Sequence, residues 1–215
     1  MKCLPLLLVF LVSCQSRPGP SGNKATPSLT DTTFTFLWRE MQYDEEHKDS
    51  FSAITIDTNL SVSLPEPIKA AITYVAYHIG SECIWDGQAN KDRSNLKCKV
   101  PTALGLGYQC SEKQQHLLKK WVINDSVTGQ NLRGCSTIPW GASHETTFDS
   151  IAVQVHQDSI IIFSVIYGTN MPSGILFDYK QTDLFLFQHD RIKLLNSSTS
   201  DFHKSTFSLN PDEEE

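Results

Sequence analysis

The 215-residue chain carries 18 Lys and Arg against 24 Asp and Glu, a formal net charge of −6. That balance excludes an electrostatic footprint for nucleic acid and a polybasic patch for anionic lipid. Once the two ends described below are set aside, about 165 residues remain, the size of one ordinary domain with its own core.

The chain begins MKCLPLLLVFLVSCQSRPGPSG. The apolar run Leu4–Ser13 follows Lys2 and is too short for a membrane-crossing helix, which needs about 20 residues. It has the length of a signal-peptide core. Leu11-Val12-Ser13-Cys14 resembles the lipobox of bacterial lipoproteins, in which a small residue precedes a cysteine that becomes the lipidated N-terminus. The resemblance covers about 14 residues. It implies that residues 1–13 are removed as a signal peptide, that Cys14 carries palmitate-type acyl chains, and that the protein stays in the cell envelope. An aspartate after the cysteine is the usual inner-membrane retention signal. Gln15 stands there instead, which implies the outer membrane of a Gram-negative bacterium. The alternative is an ordinary signal peptide with Cys14 free or bridged. Residues 14–32 are rich in Pro, Gly, Ser and Thr and read as a flexible tether.

Thr33–Trp38 is β-prone, Gln42–Ser50 is a charged loop, and Phe51–Asp57 alternates as a strand does. Leu60, Val62 and Leu64 alternate again. Pro65-Glu66-Pro67 then starts a helix, and Ile68, Ala71, Ile72, Val75 and Ile79 form its apolar stripe. Trp85-Asp86-Gly87 is a turn, Gln88–Lys97 a polar loop, and Thr102–Tyr108 is glycine-punctuated. Ser111-Glu112-Lys113-Gln114 resembles a capping box. It predicts a helix over 112–122 with Leu117, Leu118, Trp121 and Val122 inward. Asn124–Pro139 is turn-rich.

From Thr147 the period becomes two. Ile151, Val153 and Val155 share a face, Gln157-Asp158 turns the chain, and Ile160–Tyr167 is continuously apolar, as a strand buried on both faces would be. Ile175, Phe177 and Tyr179 alternate, as do Leu184 and Leu186 against Phe185 and Phe187, and His189-Asp190 turns into Ile192–Leu195. From Ser197 the pattern fades toward an acidic end. These expectations describe one α+β domain over 33–196 and a solvated tail over 197–215. An antiparallel meander of about five strands in the C-terminal half packs with two helices from the N-terminal half.

Four cysteines fall in the domain: Cys83, Cys98, Cys110 and Cys135. An even number in an exported chain argues for two disulfides. Of three connectivities, Cys83–Cys98 with Cys110–Cys135 closes the shortest loops. No C-x-x-C pair supports a zinc ribbon, and no metal or cofactor motif is present: there is no H-E-x-x-H, and Gly105-Leu106-Gly107 lacks the context of a dinucleotide loop.

The one enzymatic arrangement places Cys110 at a helix N-terminus, where its thiol pKa would fall, with His144 or His156 on the later sheet. That order is similar to thiol peptidases, including cell-wall hydrolases, without their local signatures. The competing role for Cys110 is a disulfide. Trp85 and Trp140 sit in polar loops as interface candidates or as disulfide shields. Phe163, Tyr167, Phe177, Tyr179, Phe185 and Phe187 fill the core or line a groove. Asp31-Thr32-Thr33, Asp125-Ser126-Val127, Asp149-Ser150-Ile151 and Asp158-Ser159-Ile160 resemble the O-glycosylation pattern of exported Bacteroidetes proteins, Thr32 being the accessible one. The expectation is a non-catalytic envelope lipoprotein that binds a protein or cell-wall partner, an inhibitor or immunity role being one version. The alternative is a thiol-dependent cell-wall hydrolase.

Overall fold

The computed structural model describes residues 29–45, 48–78, 96–107, 110–123 and 144–206. Seven strands form one sheet: β1 (Thr32–Asp44), β2 (Asp49–Ile56), β3 (His144–His156), β4 (Ser159–Asn170), β5 (Ile175–Gln188), β6 (Arg191–Thr199) and β7 (His203–Thr206). The order is β2-β1-β3-β4-β5-β6, every neighbouring pair antiparallel, and β7 pairs with β5. Among the described residues four helices accompany the sheet: α1 (Thr58–Ser63), α2 (Glu66–His78), α3 (Leu96–Ala103) and α4 (Glu112–Trp121). The architecture is α+β with a mostly antiparallel sheet.

The meander is longer than its periodicity suggested, because β1 joins it through β3, with Leu37 opposite Ile151 and Phe34 opposite Val153. The sheet thus unites the first and the last described segments. The charged stretch Gln42–Ser50 is not loop throughout, for Gln42–Asp44 belong to β1 and Asp49-Ser50 to β2. It extends β1 into a two-stranded ribbon with β2, Tyr43 opposite Ser50. Leu60 and Val62 lie in α1, not in a strand. Asp57 caps that helix by accepting from the Leu60 N–H at 2.9 Å, a local bond that outweighs a short alternation. The stretch after residue 196 does not lose structure at once: β6 reaches Thr199, and β7 follows. Nor does the tether run free to residue 32. Leu29 is buried in the core, Asp31 accepts from the Gln157 N–H at 2.7 Å, and Thr32 begins β1.

One face of the sheet makes the core. Phe148, Ile151, Val153 and Val155 of β3 line up with Ile160, Ile162 and Ile166 of β4, Phe185 and Phe187 of β5, and Ile192 of β6. Helices α2 and α4 pack there through Ile68, Ala71, Ile72, Val75, Leu117, Leu118 and Trp121. The predicted inward residues of both helices are buried, apart from Ile79, which lies outside the described residues. The continuous apolar run in β4 is buried on this face alone, for Phe163 on the other is 41% exposed.

Helix ends are tied locally. Ser111 Oγ accepts from the Gln114 N–H at 3.2 Å, and the Gln114 side chain accepts from the Cys110 N–H, close to the expected capping box. At the other end of α4, Arg191 donates to the carbonyls of Lys119, Lys120 and Val122 at 2.9, 3.1 and 2.7 Å. These are the groups a helix leaves without internal partners. Glu66, in the first turn of α2, accepts from Trp121 Nε1 at 2.8 Å and from Lys120 Nζ, which clasps α2 to α4. Helix α3 ends in a Schellman motif: Leu106 N–H bonds Pro101 O, and Gly105 N–H bonds Thr102 O. Gly105 has the φ of +74° that this stop requires.

Candidate functional site

The sequence candidates are scattered. Cys110 is half-buried against the core at the start of α4, with a left-handed φ of 66°, and its carbonyl accepts from Gln115 Nε2 at 2.8 Å. His156 follows Val155 on β3 and so points to the opposite face of the sheet. It is 62% exposed and bonded through Nδ1 to Asp31 Oδ2 at 3.0 Å. The sheet therefore separates Cys110 from His156. His144 is the first residue of β3, twelve positions before His156. The side chains of His144 and Cys98 lie outside the described residues, as do Cys14, Cys83, Trp85, Cys135 and Trp140. No group of His, Cys, Asp and Glu fit to hold a metal ion occurs among the described residues. No helix there is long and apolar enough to cross a membrane.

The arrangement with chemical character lies on β5. Alternation puts Phe177, Tyr179, Gln181, Asp183, Phe185 and Phe187 on the core face. Phe185 is roofed by Tyr74 of α2, edge to face at 5.5 Å between ring centroids, and Phe187 meets Trp121 of α4. Toward residue 177 the same face turns polar. Asp183 is only 2% exposed, yet its sole described hydrogen bond is the 2.8 Å donation from Gln181 Nε2. Its cross-strand neighbours are Ile162 and Ser197, and neither brings a positive charge. Ser164 of β4 stands opposite Gln181, diagonal to Asp183. It too is 2% exposed, and its Oγ has no hydrogen-bond partner. Such groups are costly to bury and are normally satisfied.

Aromatic rings border this polar patch. Burial, and then the Asp183 charge, push the Tyr179 phenol above its ordinary value of 10.0. The Tyr179 ring stacks with Phe177 at 6.4 Å and lies 4.7 Å from Phe202. Phe202 reaches it because the edge strand breaks between β6 and β7. There the Ser200 N–H bonds Lys180 O at 2.9 Å, while Ser200 Oγ accepts from the Lys180 N–H at 3.0 Å. Phe202 remains 53% exposed. The aromatic residues of the meander thus divide: Phe185 and Phe187 are core, Phe163 and Tyr167 lie on the far face, and Phe177 and Tyr179 border the polar patch.

What the patch offers is acceptors: the Asp183 carboxylate, Ser164 Oγ, and Gln181 Oε1, left over once Nε2 serves Asp183. It contains no nucleophile paired with a base. Asp183, Gln181 and Ser164 were not among the sequence candidates. The signal was present in the parity of Tyr179, Gln181, Asp183, Phe185 and Phe187, which puts a carboxylate on the face of two buried phenylalanines. No protein family, curated protein or solved structure matches the chain.

Proposed function

We propose that the chain is a bacterial cell-envelope lipoprotein, tethered to the outer membrane through Cys14, whose folded domain acts by binding and not by catalysis. An inhibitor or immunity-type role toward another protein is one form of that activity. The observation that carries the reading is Leu11-Val12-Ser13-Cys14, set between an apolar run and a Pro/Gly/Ser-rich stretch. Two acyl signals give stable anchoring where one gives marginal binding. An acceptor-rich patch without a nucleophile–base pair fits recognition better than turnover.

Two bridges among Cys83, Cys98, Cys110 and Cys135 belong to this reading. They are supported by the even number of domain cysteines in an exported chain and would engage the Cys110 sulfur. The competing thiol hydrolase would need that sulfur free beside His144 or His156. Thiol counting on denatured, unreduced protein separates the two, since a reactive Cys110 would sink the bridged reading. For the anchor, cells are fed an alkyne palmitate. Wild-type protein takes up label and partitions with membranes, whereas Cys14→Ser takes up none and becomes soluble. Equal labelling of the two would refute the anchor.

A further inference from the structure

We propose that the polar patch on β5 is a binding site for a primary ammonium group on a flexible aliphatic chain. The inference deepens the reading of the chain as a binding domain and rests on it.

A carboxylate 2% exposed calls for a counter-charge, and none accompanies Asp183 among the described residues. The strand neighbours Gln181, Phe185, Ile162 and Ser197 are all neutral. Lys204, the basic residue of β7, stands opposite Phe177, six residues along β5 from Asp183 and so about 20 Å away. A single neutral amide donor, Gln181 Nε2 at 2.8 Å, leaves most of the carboxylate's acceptor capacity open.

The second observation is independent. Ser164 Oγ is buried and without a partner, on the same face and one strand over. Diagonal positions on paired strands lie roughly 7 Å apart, so one donor group between them can serve both. With Gln181 Oε1 the patch presents three acceptors, and an ammonium has three donors and no acceptor. Tyr179 lies two residues before Gln181 on the same face, and Phe177 and Phe202 continue the aromatic border outward from it. A divalent metal fits poorly. Calcium takes six to eight oxygen ligands, and the patch has one carboxylate. The narrow aliphatic stem of an alkylammonium suits an approach along the aromatic border.

The same chemistry can come from a free alkyl diamine or from a lysine side chain on a partner. Thermal unfolding of the full-length chain is followed with cadaverine, with a short lysine-containing peptide capped at both ends, with 1-pentanol, and with calcium. At about 100 times Kd the ammonium probe raises Tm by about 5–10 °C, while 1-pentanol and calcium do not. A response to cadaverine alone identifies a small-molecule site, and a tighter response to the peptide identifies a partner's lysine. Asp183→Asn removes the response and, without ligand, raises Tm, because an uncompensated buried charge is gone. Ser164→Ala weakens binding on the order of tenfold and leaves the fold intact. The proposal is overturned if neither ammonium probe shifts Tm, if pentanol or calcium shifts it equally, or if the cadaverine shift survives in Asp183→Asn. Lipid labelling at Cys14 stands apart from all of these outcomes, so the anchor and the site fail separately.

Discussion

The two halves of β5 share a strand, a face and a register with β4, yet they are built on opposite principles. Around Phe185 and Phe187 everything serves cohesion. Tyr74 and Trp121 roof the rings, Arg191 satisfies the last carbonyls of α4, and Glu66 clasps the two helices. Around Asp183 and Gln181 the same burial encloses a carboxylate and an unpartnered hydroxyl. Natural proteins give up stability where a site requires it. On the proposed reading, the first region is scaffold and the second is the binding site.

Substitutions can break that comparison. In the scaffold half each should destabilise, in descending order. Phe185→Ala removes a fully buried ring and should cost about 3–5 kcal/mol in urea unfolding, a loss close to the stability of many domains of this size. Arg191→Ala leaves three carbonyls at the end of α4 without their donor and should cost about 2 kcal/mol; Arg191→Lys, which cannot fork, should recover less than half. Gly105→Ala meets no atom within 4 Å, so its cost is that of the left-handed φ alone, about 1 kcal/mol. If any of the three leaves the unfolding midpoint unchanged, that part of the scaffold description is wrong.

The smallest effect sharpens the account through pH. Hydrogen bonds from Lys120 and then Trp121 hold the Glu66 carboxyl below its ordinary value of 4.5. A carboxyl lowered on folding contributes stability above its unfolded pKa and loses it as pH falls through the folded value. The acid limb of the stability profile below about pH 4.5 should therefore flatten in Glu66→Gln. Both partners are about half-exposed, so the clasp is worth under about 1 kcal/mol. A difference that persists undiminished below the folded pKa would contradict the assignment.

Legibility in the sequence followed the range of the cause. The stripe of α2, the cap of α4 and the turn at His189-Asp190 depend on residues a few positions apart, and those readings match the structure. Helix α3 was hidden although Val100 and Leu104 are spaced as helix neighbours and both are buried, because Pro101 lies inside it and the preceding residues are polar. The joining of β1 to β3 pairs residues more than a hundred positions apart, which no local period records. Asp183 was missed because an acidic residue in a strand reads as solvent-facing until the parity of its neighbours is counted. The anchor reading, and the disulfide reading apart from Cys110, fall on residues whose side chains lie outside the described ones.

The central claim is that Asp183 is kept for recognition at the expense of stability. Urea unfolding of Asp183→Asn beside the wild type, without ligand at neutral pH, tests it most directly. The account predicts a higher midpoint for the variant with an unchanged slope. A lower midpoint, of the kind expected for Arg191→Ala, would make Asp183 part of the scaffold and contradict the account.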